Sequence, residues 1–308
     1  MTSRGHSSRP PAQRRAALRE RLNRPELVVA PGVYDMVSAR IADGMGFDAL
    51  FMSGYGAVAS YLGLPDAGLA GYGEMVNRVA QFAAITDTPM ICDGDTGYGG
   101  LLNVMHTVRG YEAAGACAIQ LEDQEAPKKC GHMLGRRVVP TEDMVQKIRV
   151  AVETRSDPNF LVIARTDART ELGLDEALRR AQAYARAGAD LLFIEGPETP
   201  EELERIGRTL ELPLVVNMAN GGRTPLLPFA QLQSLGFRVA LCPVTALLAA
   251  AHAAQSVYAS LRSQGSPCAD SVPQFEFKAF SQMIGFDWVG EFDARYAQAT
   301  PPAGKEHP

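Results

Sequence analysis

Cysteine is scarce in this chain and follows no metal-binding or disulfide spacing. Cys92, Cys117, Cys130, Cys242 and Cys268 make an odd count of five, with no C-x-x-C among them. That argues against a disulfide framework and a structural zinc site, and five thiols fit a reducing cytoplasm. No apolar run approaches the roughly 18 residues of a membrane span. The basic, Ser/Pro-rich start MTSRGHSSRPPAQRR has none of the apolar stretch of a secretory signal. It reads as an arm leading into a first helix at AALRERL. Positive charge is not in surplus: with a net charge of −5 and no basic stripe on a periodic segment, no nucleic-acid partner is expected. An early G-x-G-x-x-G is also missing, which counts against a doubly wound dinucleotide fold.

What the chain has is core material, with 46% hydrophobic residues over 308 positions. That length suits an α/β barrel of about 250 residues plus extensions. Eight short apolar runs recur: LVVAPG from Leu27, DALFMSG from Asp48, PMICDGD from Pro89, CAIQLED from Cys117, FLVIARTDA from Phe160, LLFIEGP from Leu191, PLVVNM from Pro213 and VALCPVT from Val239. Each is nearly continuous in hydrophobicity, as parallel strands covered on both faces must be. Cys92, Cys117 and Cys242 belong to these runs and read as buried, whereas Cys268 in QGSPCAD reads as a loop residue.

Most runs are separated by helical periodicity, as in EMVNRVAQFAAI, LLNVMHTVRGYEAAG and LDEALRRAQAYARAG. Thr141 and Thr199 mark helix starts. The junctions DGMGFDALF, EAAGACAIQ, ARAGADLLF and QSLGFRVAL each end a helix in glycine, the residue that closes a helix left-handed. Strand, helix, glycine, strand, eight times over, predicts the α/β class and a (β/α)₈ TIM barrel. The expected layout is an arm and first helix over 1–24, the catalytic barrel over 25–262 and a C-terminal helical extension and tail over 263–308.

Barrel active sites lie at the C-terminal strand ends. Read in order, those ends carry Ser53-Gly54-Tyr55, Asp93-Gly94-Asp95, Glu122-Asp123, Arg165-Thr166-Asp167, Glu195, Asn217 and Thr245. Asp93 and Asp95, with Glu122 and Asp66 as further members, form an all-oxygen set suited to a hard cation such as Mg²⁺. SGYG offers backbone N–H groups to a carboxylate or phosphate. Arg165 is a fork for a carboxylate, with Asp167 as its alternative partner. Cys130 stands apart from the other thiols: Lys128, Lys129 and His132 around it favour the thiolate. It can therefore exchange a proton near neutral pH, on a loop that Gly131 and Gly135 let close over the mouth.

DGDTGYG, EDQ…PKKCGH, VIARTDA and FIEGPE resemble the isocitrate lyase and phosphoenolpyruvate mutase superfamily, from about Val28 to Leu261. PKKCGHM is most similar to the lyase branch that acts on alkylmalates. The resemblance implies that Ser53, Gly54 and Tyr55 bind a 2-oxo-acid carboxylate. It implies Mg²⁺, with Mn²⁺ as its substitute, on Asp93 with Asp66, Asp95 and Glu122 through waters. It places Lys128, Cys130, Gly131, His132, Arg165, Glu195 and Asn217 in the rest of the site. Asn220 and Arg136 depart from the usual glutamate and lysine where substrate side groups are sensed. A homotetramer that exchanges its last helix, here FKAFSQMIGFDWVGEFDARYA, is also implied.

The expected function is therefore Mg²⁺-dependent carbon–carbon cleavage of a 2-hydroxy dicarboxylate to a 2-oxo acid such as pyruvate plus a carboxylate. Cys130 is the expected proton donor. Methylisocitrate cleavage and oxaloacetate decarboxylation or hydrolysis are the alternatives within the family. Outside enzymology, the alternative is a barrel that binds a metabolite without turning it over.

Overall fold

The computed structural model describes residues 9–131, 133–265 and 272–297. His132, Cys268 and His307 lie outside them, as does the start of the N-terminal arm. All eight apolar runs become strands: β1 (Val28–Val33), β2 (Leu50–Met52), β3 (Met90–Asp93), β4 (Ala118–Glu122), β5 (Leu161–Thr166), β6 (Leu191–Ile194), β7 (Leu214–Asn217) and β8 (Phe237–Cys242). They pair in parallel and in chain order, and β8 returns to β1 to close a barrel. With no edge left, no row of unpaired N–H and C=O groups is exposed along the sheet.

The pleat explains why the runs are continuous. Alternate residues face the barrel interior, where Ala49, Phe51, Ile91, Ala118, Ile163 and Phe193 pack together. Their neighbours Leu50, Met52, Cys92, Ile119, Val162 and Leu192 face the surrounding helices. Both sides are dry, so both parities are apolar. The helices bury one stripe each. In Leu174–Arg186 the buried set includes Leu174, Ala177, Leu178, Ala181 and Tyr184, at spacings of three and four.

The glycine junctions behave as the sequence requires. Gly46, Gly115, Gly188 and Gly236 all have positive φ, at 79°, 101°, 102° and 94°. Thr199 caps its helix through the N–H of Glu202. Thr141 also begins a helix, but its hydroxyl instead accepts from Arg179.

The expected first helix spans Pro11–Leu22 and closes the bottom of the barrel, with Leu18 and Leu22 joining the interior cluster. Arg14 and Arg15 on it donate to backbone carbonyls of Ala83, Thr86 and Ala116. At the other end of the chain, helices Phe277–Met283 and Phe286–Ala297 bury no residue; Phe277 is 84% exposed and Trp288 41%. Among the described residues, no helix is long and apolar enough to cross a membrane.

Candidate active site

The pleat decides which polar residues reach the open mouth. Ser53 follows interior Phe51 by two positions, Asp93 follows Ile91, Arg165 follows Ile163, Glu195 follows Phe193 and Asn217 follows Val215. Glu122 lies two beyond Gln120 on β4. All of these line one cavity of about 260 Å³, together with Tyr55, Asp66, Lys128, Cys130, Gly131 and Asn220. Sequence reasoning missed Gln120, Phe193, Met133 and Leu248 on the same wall. Gln120 could have been found: it is the one uncharged polar residue in the strand AIQLE. Asp123, one position out of phase, turns away and accepts from Thr166, the Asp167 N–H, Arg180 and Tyr184.

At β3 the backbone is arranged around two acids. Asp95 and Tyr98 have positive φ of 47° and 58°, a strained conformation that persists where the surroundings enforce it. The enforcement is visible: Tyr98 and Tyr111 share a hydroxyl–hydroxyl bond of 2.8 Å, and the Tyr111 hydroxyl donates to the Asp93 carbonyl at 3.1 Å. Asp93 Oδ2 accepts from the Gly54 N–H at 3.3 Å. A Cβ on Gly54 would lie 2.7 Å from that oxygen, so the close approach requires glycine. The SGYG segment is the first turn of helix Gly54–Leu62, with Ser53 as its cap, so its N–H groups form a helix N-terminus.

Burial sets the electrostatics. It raises Asp93 above the usual carboxylate range, although Lys128 and Arg165 pull it back. It raises Asp95 to about 6 and Glu122 well above its ordinary value. Lys128 is also buried, which works against its charge. Asp95, Glu122, Asp66 and Asp93 together outweigh that and raise it. Its ammonium lies 2.5 Å from Asp66 Oδ1 and 2.7 Å from Asp95 Oδ1. Lys129 turns to the Gly135 carbonyl. The two lysines beside Cys130 are thus engaged by acids and by backbone, not simply grouped around the thiol.

Cys130 is half-buried and faces the cavity, and its N–H donates to the Asp66 carbonyl at 3.1 Å. The loop carrying it is folded down by Gln124, whose amide exchanges two 2.9 Å bonds with the backbone of Lys129. Gly131 lies so close to β5 and β6 that a Cβ there would sit 2.3 Å from Arg165 Nη2 and 2.9 Å from Glu195 Cγ.

Arg165 pairs with Asp167, the alternative partner the sequence offered, without leaving the cavity wall. It forks onto Asp167 at 2.9 and 2.8 Å, and it still lines the cavity over the face of Phe193. Glu122 and Glu195 lie 3.4 and 3.6 Å from its Nη2. Burial acts against Asp167's charge, but Arg165 and then Arg136 hold it below the usual range. Asn217 Nδ2 donates to Glu195 Oε2 at 3.1 Å. Asn220 accepts from Thr245 at 2.5 Å on the cavity rim. Arg136 is placed differently from expectation. It is buried behind Arg165 on Asp167 and Thr170 and is not among the residues lining this cavity.

The donor set fits a hard divalent cation. Asp66, Asp93 and Glu122 present oxygen to the cavity, and Glu122 Oε1 is buried with no hydrogen-bond partner. Asp95 stands behind Lys128 and off the cavity wall. Among the described residues no group of three or more His, Cys, Asp or Glu side chains is arranged to hold a metal ion by itself. Mg²⁺ does not need one, because it keeps several waters on one or two carboxylates.

Residues 18–262 match the phosphoenolpyruvate phosphomutase family. The 2,3-dimethylmalate lyase of Eubacterium barkeri is 45% identical over 92% of this chain and 98% of its own length. A 2-methylisocitrate lyase of Aeropyrum pernix is 41% identical over 91% and 90%. Among solved structures, oxaloacetate acetylhydrolase with 3,3-difluorooxalacetate superposes with a TM-score of 0.88 at 33% identity, covering 97% of this chain and all of the other. Phosphonopyruvate hydrolase in complex with oxalate and Mg²⁺ superposes at 0.83 and 31% identity, covering 94% of this chain and 100% of that one. A family match over most of the chain and relatives above 40% identity leave one conclusion: the chain belongs to the phosphoenolpyruvate mutase/isocitrate lyase superfamily.

Proposed function

We propose that this chain is a divalent-metal-dependent carbon–carbon lyase acting on a 2-hydroxy dicarboxylate of the 2-alkylmalate kind. The observation that carries the reading is that one 260 Å³ cavity holds oxygen donors for a cation, a guanidinium for a carboxylate and a half-buried thiol. Similarity to 2,3-dimethylmalate lyase and 2-methylisocitrate lyase supports it.

In the reaction a base takes the substrate's hydroxyl proton. The neighbouring carbon–carbon bond breaks as the carbonyl of the 2-oxo acid forms. The bonding pair stays on the departing fragment as a carboxylate-stabilised carbanion, and the Cys130 thiol quenches it with a proton. Arg165 holds the carbanion's carboxylate, and its fork to Asp167 fixes the direction of the charge. Ser53 and the first turn of helix Gly54–Leu62 hold the oxo-acid carboxylate by backbone N–H groups. Glu195, Asn217 and Gly131 shape the wall on which the leaving fragment rests, and His132 completes the set. Asp93, with Asp66, Asp95 and Glu122 through water, would hold Mg²⁺, or Mn²⁺ in its place; bound there it would supply electrostatic stabilisation of the oxo-acid oxygens.

The assembly proposed is a homotetramer that exchanges its C-terminal helix; the unburied aromatics of Phe277–Met283 and Phe286–Ala297 support it. The compartment proposed is the cytoplasm.

The test is a coupled assay of pyruvate and glyoxylate release across dimethylmalate, ethylmalate-like, methylisocitrate and citrate-like acids with Mg²⁺, with oxaloacetate in the same panel. An alkylmalate is expected to turn over fastest, and Cys130→Ala to lower that rate by about 10²–10⁴-fold. No 2-oxo acid from any member of the panel, or near-wild-type turnover by Cys130→Ala, refutes the scheme.

A further inference from the structure

Asp167 is a node rather than a simple counter-ion. One of its oxygens, Oδ1, accepts both from Arg165 Nη2 at 2.8 Å and from Arg136 Nη1. Arg165 is the guanidinium that lines the cavity; Arg136 stands on the loop that carries Cys130, at its returning foot. The side chains of Arg136 and Asp167 are wholly buried. Arg136 also donates to Thr170 at 2.6 Å, on the short helix that follows β5. The same foot is stitched to β4 by Val139 N–H to the Asp123 carbonyl, and the Asp123 carboxylate holds the Asp167 N–H.

We propose that Arg136 is a positioning residue that ties the foot of the Cys130 loop to the orientation and charge of Arg165 through Asp167. The reasoning is electrostatic as well as geometric. With Arg165 alone, Asp167 would neutralise the guanidinium that has to meet a substrate carboxylate. A second guanidinium on the same oxygen shares the carboxylate between two cations, which offsets part of the negative charge that Asp167, Glu122 and Glu195 place around Arg165. Arg136 brings its positive charge from the foot of the Cys130 loop, so the placement of the loop and the anion-binding guanidinium are fixed by one shared carboxylate. A lysine could give the charge, but not a planar fork reaching Asp167 and Thr170 at once.

The inference rests on the lyase reading for its meaning, but its test requires no turnover. Wild type, Arg136→Met, Arg136→Lys and Thr170→Val are compared in the full chain. The first readout is the affinity for oxalate by calorimetry with Mg²⁺. The second is the rate at which iodoacetamide modifies Cys130, followed by peptide mass. Arg136→Met is expected to weaken oxalate binding and to speed Cys130 modification, each at least tenfold. Arg136→Lys should recover part of both, and Thr170→Val should shift both by about threefold. Thr170→Val decides the matter if Arg136→Met does not fold. Either readout within twofold of wild type overturns the proposal, even with a lowered Tm, because a merely structural arginine would change Tm alone. Failure of wild type to bind oxalate overturns it too. An enzyme that binds oxalate as expected but cleaves nothing in the panel counts against the lyase reading and leaves this coupling standing.

Discussion

Lys128 Nζ lies 2.5 Å from Asp66 Oδ1, which ties the Cys130 loop across the barrel mouth to the segment between helices Gly54–Leu62 and Tyr72–Ile85. Asp95 holds the same ammonium at 2.7 Å, and all three side chains are at most 8% exposed. Little water is left to compensate a lost partner. Removing one member of such a buried set strands the others and costs about 3–5 kcal/mol. Lys128→Met should therefore lower the free energy of urea unfolding by about 3 kcal/mol. Adding Asp66→Asn should restore part of that loss in a double-mutant cycle. A loss below about 1 kcal/mol would mean that the charges are solvated.

Gly131 makes a different kind of prediction, because its contribution is absence of volume. An added Cβ would meet Arg165 Nη2 at 2.3 Å and Glu195 Cγ at 2.9 Å. Arg165 is held by its fork to Asp167, so the loop must give way. A displacement near 1 Å at a reacting group is worth about 10²-fold in rate. Gly131→Ala should lower kcat by about that factor and leave Tm close to wild type. A variant with unchanged kcat would show that the loop carries Cys130 loosely enough to accommodate the methyl group.

These relationships differ in how directly the amino-acid sequence encodes them. The barrel was legible because eight runs are apolar at both parities, which only strands buried on both faces require. The mouth was legible by extension, since Asp93, Arg165, Glu195 and Asn217 follow interior residues at the strand period of two. The same rule explains why Asp123, adjacent to Glu122, faces the helices. Loops have no such period. Nothing in PKKCGH says that Lys128 will insert between Asp66 and Asp95, because Asp66 arrives from a separate loop. Arg136 sits in GRRVV, where nothing in the local pattern shows that it will be buried; its burial depends on Asp167 and Thr170 folding over it.

Asp95 supplies a pH prediction. Burial holds it at about 6, against about 3.9 for an unfolded aspartate. Between those values the folded protein keeps a proton that the unfolded chain has released, so this group lowers stability as pH rises from about 4 to about 6. Two units correspond to about 3 kcal/mol. Relative to Asp95→Asn, which does not titrate, wild type should lose up to that amount across the window and hold steady above pH 7. Urea unfolding without Mg²⁺ is the measurement, since a cation would favour the charged carboxylate. A difference that is flat from pH 4 to 7, or that rises, would place Asp95 in a wetter setting.

The cation reading can be separated from catalysis altogether. A ligand that binds only the folded state stabilises it by about 2.7 kcal/mol at a hundred times its dissociation constant. Asp93 lines the cavity from β3 and Glu122 from β4, and Glu122 Oε1 is buried without a hydrogen-bond partner. Mg²⁺ should therefore raise Tm in wild type, with EDTA reversing the rise and abolishing turnover. Asp93→Asn should remove most of the rise, because it takes away the charge that Gly54 and Asp95 N–H groups orient. Asp123→Asn, which alters an acid facing the helices, should lower the starting Tm yet keep the Mg²⁺ increment. Equal increments in wild type and Asp93→Asn would place the ion somewhere other than this mouth.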